Sequence, residues 1–173
     1  MQTQSKELNF KGQNIYVGID VHLKSWIVCI MTERLEHKKF TQPPEAEKLY
    51  NYLLRNFPGA TYYSVYESGF SGFHAHRQLE SLGIHNIITN AADVPTGQKE
   101  RLAKDDVIDS RKLARSLRSK ELEAIYVPSE STQEGRSLVR LRFTLVKDMI
   151  RLGIPYPDRF QNSCSHWSRN FIK

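Results

Sequence analysis

The chain has 173 residues, of which 39% are hydrophobic and 25% charged, and its mean hydropathy is −0.53. That composition excludes an intrinsically disordered or membrane-embedded chain: it suffices for one domain with a core, and no apolar run approaches the roughly 20 residues that cross a bilayer. The net charge of +6 sits in one half, since residues 1–96 hold nine basic and nine acidic side chains and residues 97–173 hold sixteen and ten; such a bias suits a polyanionic partner, nucleic acid above all.

Residues 1–13 are polar, read as a flexible N-terminus, and lack the apolar segment of a secretory signal. Residues 14–20, NIYVGID, are a β-rich apolar run that ends on Asp20. Residues 26–31 form a second strand and residues 38–41 a weaker third, giving an antiparallel meander that Pro43-Pro44 halts. Residues 45–56 have helical spacing, with Ala46, Leu49, Tyr50, Leu53 and Leu54 on one side, and Pro58-Gly59 closes that helix. Residues 61–66 are a fourth strand running into Glu67. Ser71 is placed to cap a helix through Leu82, and residues 84–89 read as a fifth strand. A polar connector over 90–103 leads to a helix over 105–119, acidic in its first turn and basic along its length, which suits the helix dipole. Residues 124–127 are a short strand or extended segment. Ser129 or Ser131 caps a last helix that runs to about Arg151, with Leu138, Leu141, Leu145 and Met149 as its apolar positions.

Three strands followed by strands alternating with helices predict an α/β domain with a mixed sheet flanked by helices, its first strand central, and a C-terminal helix. The domain is expected over 14–128, the helix over 129–152 and a tail over 153–173. Two cysteines, Cys29 and Cys164, make neither a disulfide framework nor a zinc site, which points to a reducing cytoplasm.

Two of the strands end on carboxylates, Asp20 and Glu67, and the carboxyl ends of strands are where α/β sheets build sites. A third acidic group, Asp105, Asp106 and Asp109, opens the basic helix. Asp106 and Asp109 share a helix face; so do Asp105 and Asp109. Were that turn to pack beside the two strand ends, four carboxylates would converge and repel one another unless divalent cations lay between them. Hard oxygen ligands select Mg²⁺ or Mn²⁺, and two such ions roughly 3.5–4 Å apart serve phosphodiester cleavage. Taken singly, each acid also suits a turn or a helix N-terminus.

The blocks YVGIDVHLKSW (16–26), YESGFSG (66–72) and KDDVIDSRKLA (104–114) together resemble the DEDD transposases of the insertion sequence 110 group, also called bridge-RNA-guided recombinases. NAADVP (90–95) and RSLVR (136–140) add to the likeness, which covers roughly residues 14–151. The resemblance implies a ribonuclease H-like, RuvC-like DEDD domain with Asp20, Glu67, Asp106 and Asp109 as its catalytic, metal-binding acids, Asp105 being the alternative third. It implies DNA and a structured guide RNA as partners, a homo-oligomer in the full-length form, and a bacterial cytoplasmic enzyme that joins the nucleoid when bound to DNA. Such relatives carry a further C-terminal domain with a serine nucleophile. Here Gly153-Ile154-Pro155 breaks the last helix and no such domain follows, so this chain is expected to be a truncated form incompetent in strand exchange by itself.

Among the basic residues, Arg111, Arg115 and Arg118 share one helix face, and Arg136, Arg140 and Lys147 share a face of the last helix. They and Lys104 are candidates for phosphate contacts that give affinity without sequence reading. His22, close behind the first acid, is taken as a loop residue. The competing functions are a non-catalytic nucleic-acid-binding remnant, or a regulator of a full-length transposase, and a sugar-kinase or actin-like ATPase. The ATPase lacks support because Asp20-Val21-His22-Leu23-Lys24 has no glycine-rich phosphate turn.

Overall fold

The computed structural model describes residues 9–69, 72–94 and 106–154, with the backbone alone for 106–109. The elements are β1 (Asn14–Val21), β2 (Trp26–Met31), β3 (Glu36–Gln42), α1 (Ala46–Asn56), β4 (Thr61–Glu67), α2 (His74–Ser81), β5 (His85–Thr89), α3 (Asp106–Ser119) and α4 (Glu130–Arg151). The strands form one sheet in the order β3-β2-β1-β4-β5. β1, β2 and β3 are antiparallel neighbours, while β4 is parallel to β1 and β5 parallel to β4. This is the order and polarity of a ribonuclease H-like α/β sheet, and the meander and the central first strand are both as expected. β1 is central because it is apolar on alternate positions that need cover: Ile15, Val17 and Ile19 are all fully buried.

Side chains alternate across a strand, so β1 serves two faces. Ile15, Val17 and Ile19 point to the side of α1 and α2. There Phe40 of β3 packs on Tyr52 of α1, ring centroids 4.7 Å apart, and Asn86 of β5 meets His76 of α2. Tyr16, Gly18 and Asp20 point the other way, toward α3. Tyr16, Cys29 and Met31 form a cluster with Ala114, and Val65 packs with Val94 and Leu113. Gly18 lies directly beneath the helix: a Cβ there would stand 2.0 Å from the Ser110 carbonyl oxygen and 2.5 Å from the Ala114 nitrogen. Only a residue without a side chain lets backbone meet backbone so closely.

Local details refine the expectations. Ser71 lies outside the described residues, and α2 begins only at His74, behind Phe73, with no side-chain cap. Its orphan donor at His76 is met instead by the Tyr66 hydroxyl at 3.2 Å, which in turn donates to the Gly72 carbonyl at 2.9 Å. β3 is longer than the run 38–41 because its ladder with β2 continues through Glu36 and Gln42. Residues 124–127 form no strand; Ile125 N–H makes one bond to the Ile88 carbonyl, 2.8 Å. Ahead of β1, the Phe10 ring packs edge-on against Phe57, centroids 5.1 Å apart.

The chain divides into two compact units between Tyr126 and Val127. The second contains α4, capped by Ser129, whose side chain accepts from the Thr132 N–H at 3.3 Å. None of the residues of α4 is buried, and its apolar positions Leu138, Leu141 and Leu145 are all more than half exposed.

Candidate active site

Ile19 and Tyr66 are partners in the parallel ladder of β1 and β4. The next residues, Asp20 and Glu67, therefore stand side by side on the α3 face, at the carboxyl ends of adjacent parallel strands. Asp20 is held by His22, whose Nε2 lies 3.0 Å from Oδ2. That histidine belongs to the tight turn between β1 and β2, where its N–H donates to the Ser25 carbonyl at 3.1 Å. On the other side Glu67 is the register partner of Thr89, a fully buried residue whose Oγ1 has no hydrogen-bond partner.

α3 brings its acidic turn toward the same end. Passing from Tyr16 to Gly18 along β1, the helix residues overhead pass from Ala114 and Leu117 to Ser110 and Ala114. Helix and strand thus run antiparallel. Four residues of helix from Ser110 back to Asp106 rise about 6 Å; two residues of strand from Gly18 to Asp20 advance about 6.6 Å. The first turn of α3 covers the same stretch as the end of β1. Asp106 and Asp109 are on that turn, their side chains outside the described residues; Lys104 and Asp105 lie outside them altogether.

Among the described residues, no group of three or more His, Cys, Asp and Glu side chains is arranged to hold a metal. What is described is a pair of carboxylates with an unpaired hydroxyl beside it. Anionic oxygens at strand ends are the donor chemistry of hard divalent cations, so the described pair Asp20 and Glu67 fits part of such a site.

The basic residues do not all stand ready for phosphate. Arg111 is forked onto Glu36 of β3, Nε to Oε2 at 2.6 Å and Nη2 to Oε1 at 2.9 Å. Glu36 holds this guanidinium above its usual range, by hydrogen bond first and by charge second. Arg118 donates to the Thr32 carbonyl at 3.3 Å. Two of the three face-sharing arginines therefore tie α3 to the β2–β3 hairpin, while Arg115 is exposed. Arg136 and Arg140 are exposed on α4.

Sequence reasoning found the two strand-end acids by residue type and place. His22 lies in the loop as expected, and its place two residues past Asp20 is the signal for their contact. Thr89 offers no signal in sequence, because its meaning comes from being opposite Glu67.

Comparison with known proteins adds a family. A model of the DEDD insertion sequence 110 type, described as a transposase, matches residues 17–154. Two Sinorhizobium fredii proteins named as candidate transposases, y4rJ and y4qE, are 30% and 36% identical over 93 and 87 residues, in each case 50% of this chain and 24% and 22% of theirs. The transposase for insertion sequence element IS1533 of Leptospira borgpetersenii is 26% identical over 155 residues, covering 80% of this chain and 41% of that protein. The chain spans less than half the length of the curated relatives it matches.

Proposed function

The chain belongs to the DEDD transposase family of the insertion sequence 110 type, and from that premise we propose that it binds DNA, together with a structured guide RNA, and holds Mg²⁺ or Mn²⁺ at an acidic site for phosphodiester cleavage and transfer. The acids are Asp20, Glu67, Asp106 and Asp109. The observation that carries the reading is the parallel register of β1 and β4, which sets Asp20 beside Glu67 under the helix that bears the other two.

With divalent cations bound between these carboxylates, the site would supply activation of an oxygen nucleophile and stabilisation of the leaving oxygen. The chain's own residues prepare it. His22 fixes the Asp20 carboxylate by a 3.0 Å contact. Lys104, Arg111, Arg115 and Arg118 lie along or just before α3, and Arg136 and Arg140 on α4; as phosphate contacts they make binding steeply salt-dependent. Arg111 can serve only by leaving Glu36. Strand exchange by the longer relatives, and oligomerisation, are proposals for the whole protein, of which these residues would supply the metal-binding acids.

The deciding experiment is Mn²⁺ titration by calorimetry on the wild type and on a variant with Asp20, Asp106 and Asp109 changed to Asn and Glu67 to Gln. Loss of binding is expected, and unchanged affinity refutes the reading. A DNA cleavage assay then separates functions: retained DNA binding without any metal-dependent cleavage is the outcome for a non-catalytic nucleic-acid-binding chain.

A further inference from the structure

Thr89 closes β5 with no solvent exposure, and its Oγ1 has neither a backbone nor a side-chain partner. An unpaired buried hydroxyl costs a fold free energy, and interiors contain few of them. Its position gives it a use. Thr89 is the parallel-ladder partner of Glu67, and such partners send their side chains to the same face with strands about 4.8 Å apart. Thr89 thus stands to Glu67 as Glu67 stands to Asp20, in one row across the carboxyl ends of β5, β4 and β1.

The row is held in place from both sides. Ser68 N–H donates to the Thr89 carbonyl at 2.8 Å, tying the residue after Glu67 to β5. On the opposite face, Asn86 Nδ2 donates to Ser64 Oγ at 2.7 Å, across the same pair of strands. His76 Nδ1 lies 2.8 Å from Asn86 Oδ1, and the Asn86 N–H donates to Glu80. β4 and β5 therefore cannot slip, and the hydroxyl keeps its place beside Glu67.

We propose that Thr89 is a positioning residue for Glu67, its hydroxyl donating to the Glu67 carboxylate when that carboxylate ligates a divalent cation. The inference rests on the metal-site reading above. A carboxylate that ligates through one oxygen keeps lone pairs on the other, and a donor behind it fixes the rotamer and the angle at which it meets the ion. Thr89 is fully buried, so it acts through Glu67 and touches neither ion nor nucleic acid.

The test is calorimetric Mn²⁺ titration of the full chain, beside thermal unfolding in metal-free buffer, for the wild type, Thr89→Val, Thr89→Ser and Glu67→Gln. Thr89→Val is expected to bind Mn²⁺ about 10-fold more weakly or worse. Without metal it should unfold at the same or a higher temperature, because it deletes an unpaired buried hydroxyl. Thr89→Ser should keep the wild-type affinity. Wild-type affinity in Thr89→Val overturns the inference. Equal weakness in Thr89→Ser and Thr89→Val also overturns it, since the methyl group would then be what matters. A metal-free unfolding temperature for Thr89→Val below that of the wild type, or failure to fold, overturns it too, because the hydroxyl would be serving the fold. Glu67→Gln separates the two levels. If Glu67→Gln weakens binding and Thr89→Val does not, the role of Thr89 fails alone; if Glu67→Gln binds like the wild type, the metal-site reading fails and takes this inference with it.

Discussion

Cys29 lies fully buried under α3, and burial pushes its thiol up to about 11, with the Glu36 carboxylate adding to the shift. Tyr66 is buried as deeply on the other face, and burial pushes its phenol up to about 12 against the bond from the His76 N–H. Both groups are raised, so both favour the fold while neutral. Their contribution is complete below their unfolded values and is lost as pH rises through the folded ones. Urea unfolding should therefore show falling stability from about pH 9 upward. Cys29→Ala should flatten the lower part of that fall, and an unchanged slope would contradict this account. The same contrast explains what was legible. Asp20 and Glu67 stood out together, as two strand ends that carry acids ahead of an acidic helix turn. Thr89 and Cys29 are ordinary by type and gain meaning only from neighbours that the register supplies.

At the scale of elements, α3 is fixed by backbone geometry at its C-terminus and where it crosses Gly18. Its C-terminus closes with Lys120 N–H on the Leu117 carbonyl at 3.2 Å and Glu121 N–H on the Ser116 carbonyl at 3.1 Å, the two bonds of a Schellman motif. Lys120 occupies the left-handed position, φ 59°, where glycine is usual. Lys120→Gly should stabilise the protein by roughly 0.5–1 kcal/mol, the relief of left-handed strain less the entropy of an added glycine; denaturant midpoints measure it. Gly18→Ala should act in the opposite sense. Its Cβ would overlap the α3 backbone, so the cost belongs at or above the top of the roughly 1–3 kcal/mol typical of overpacking. Mn²⁺ affinity should fall with it, because α3 carries two of the proposed ligands. Strands and helices were readable from periodicity, since alternate burial writes itself into the chain. The start of α2 was not, because the Tyr66 hydroxyl that meets its His76 donor lies ten residues upstream.

For the whole molecule, the division at Tyr126 and Val127 separates a sheet domain with a core from a unit whose described helix, α4, has no buried residue. Most helical stability in proteins comes from packing an apolar face, and α4 over its 22 residues buries none. A chain ended after Tyr126 should keep a single cooperative melting transition. Its midpoint should fall by less than the roughly 4 °C that one kcal/mol commands in a domain between the 100- and 150-residue classes. Hydrogen exchange should find the α4 amides less protected than those of α3. The excess positive charge of the sequence lies on α3 and on the residues from 127 onward. The salt dependence of DNA binding should accordingly drop when Arg136 and Arg140 are changed to Gln, by about one unit of log–log slope for each phosphate no longer neutralised. The apolar positions of α4 were legible by periodicity, and the exposure of Leu138, Leu141 and Leu145 shows why period alone does not say what a face packs against.

The absence of a side chain at Gly18 has one more consequence. Where helix and sheet meet through side chains, their separation depends on rotamers and yields by fractions of an ångström when a neighbour changes. At Gly18 the spacing is set by atoms of the main chain, which have no alternative arrangement to relax into. The contact works as a hard stop, and α3 can neither sink toward β1 nor slide along it without collision. The contact thereby sets how deep Ser110 and Ala114 of α3 lie over β1, two residues before the strand end that carries Asp20.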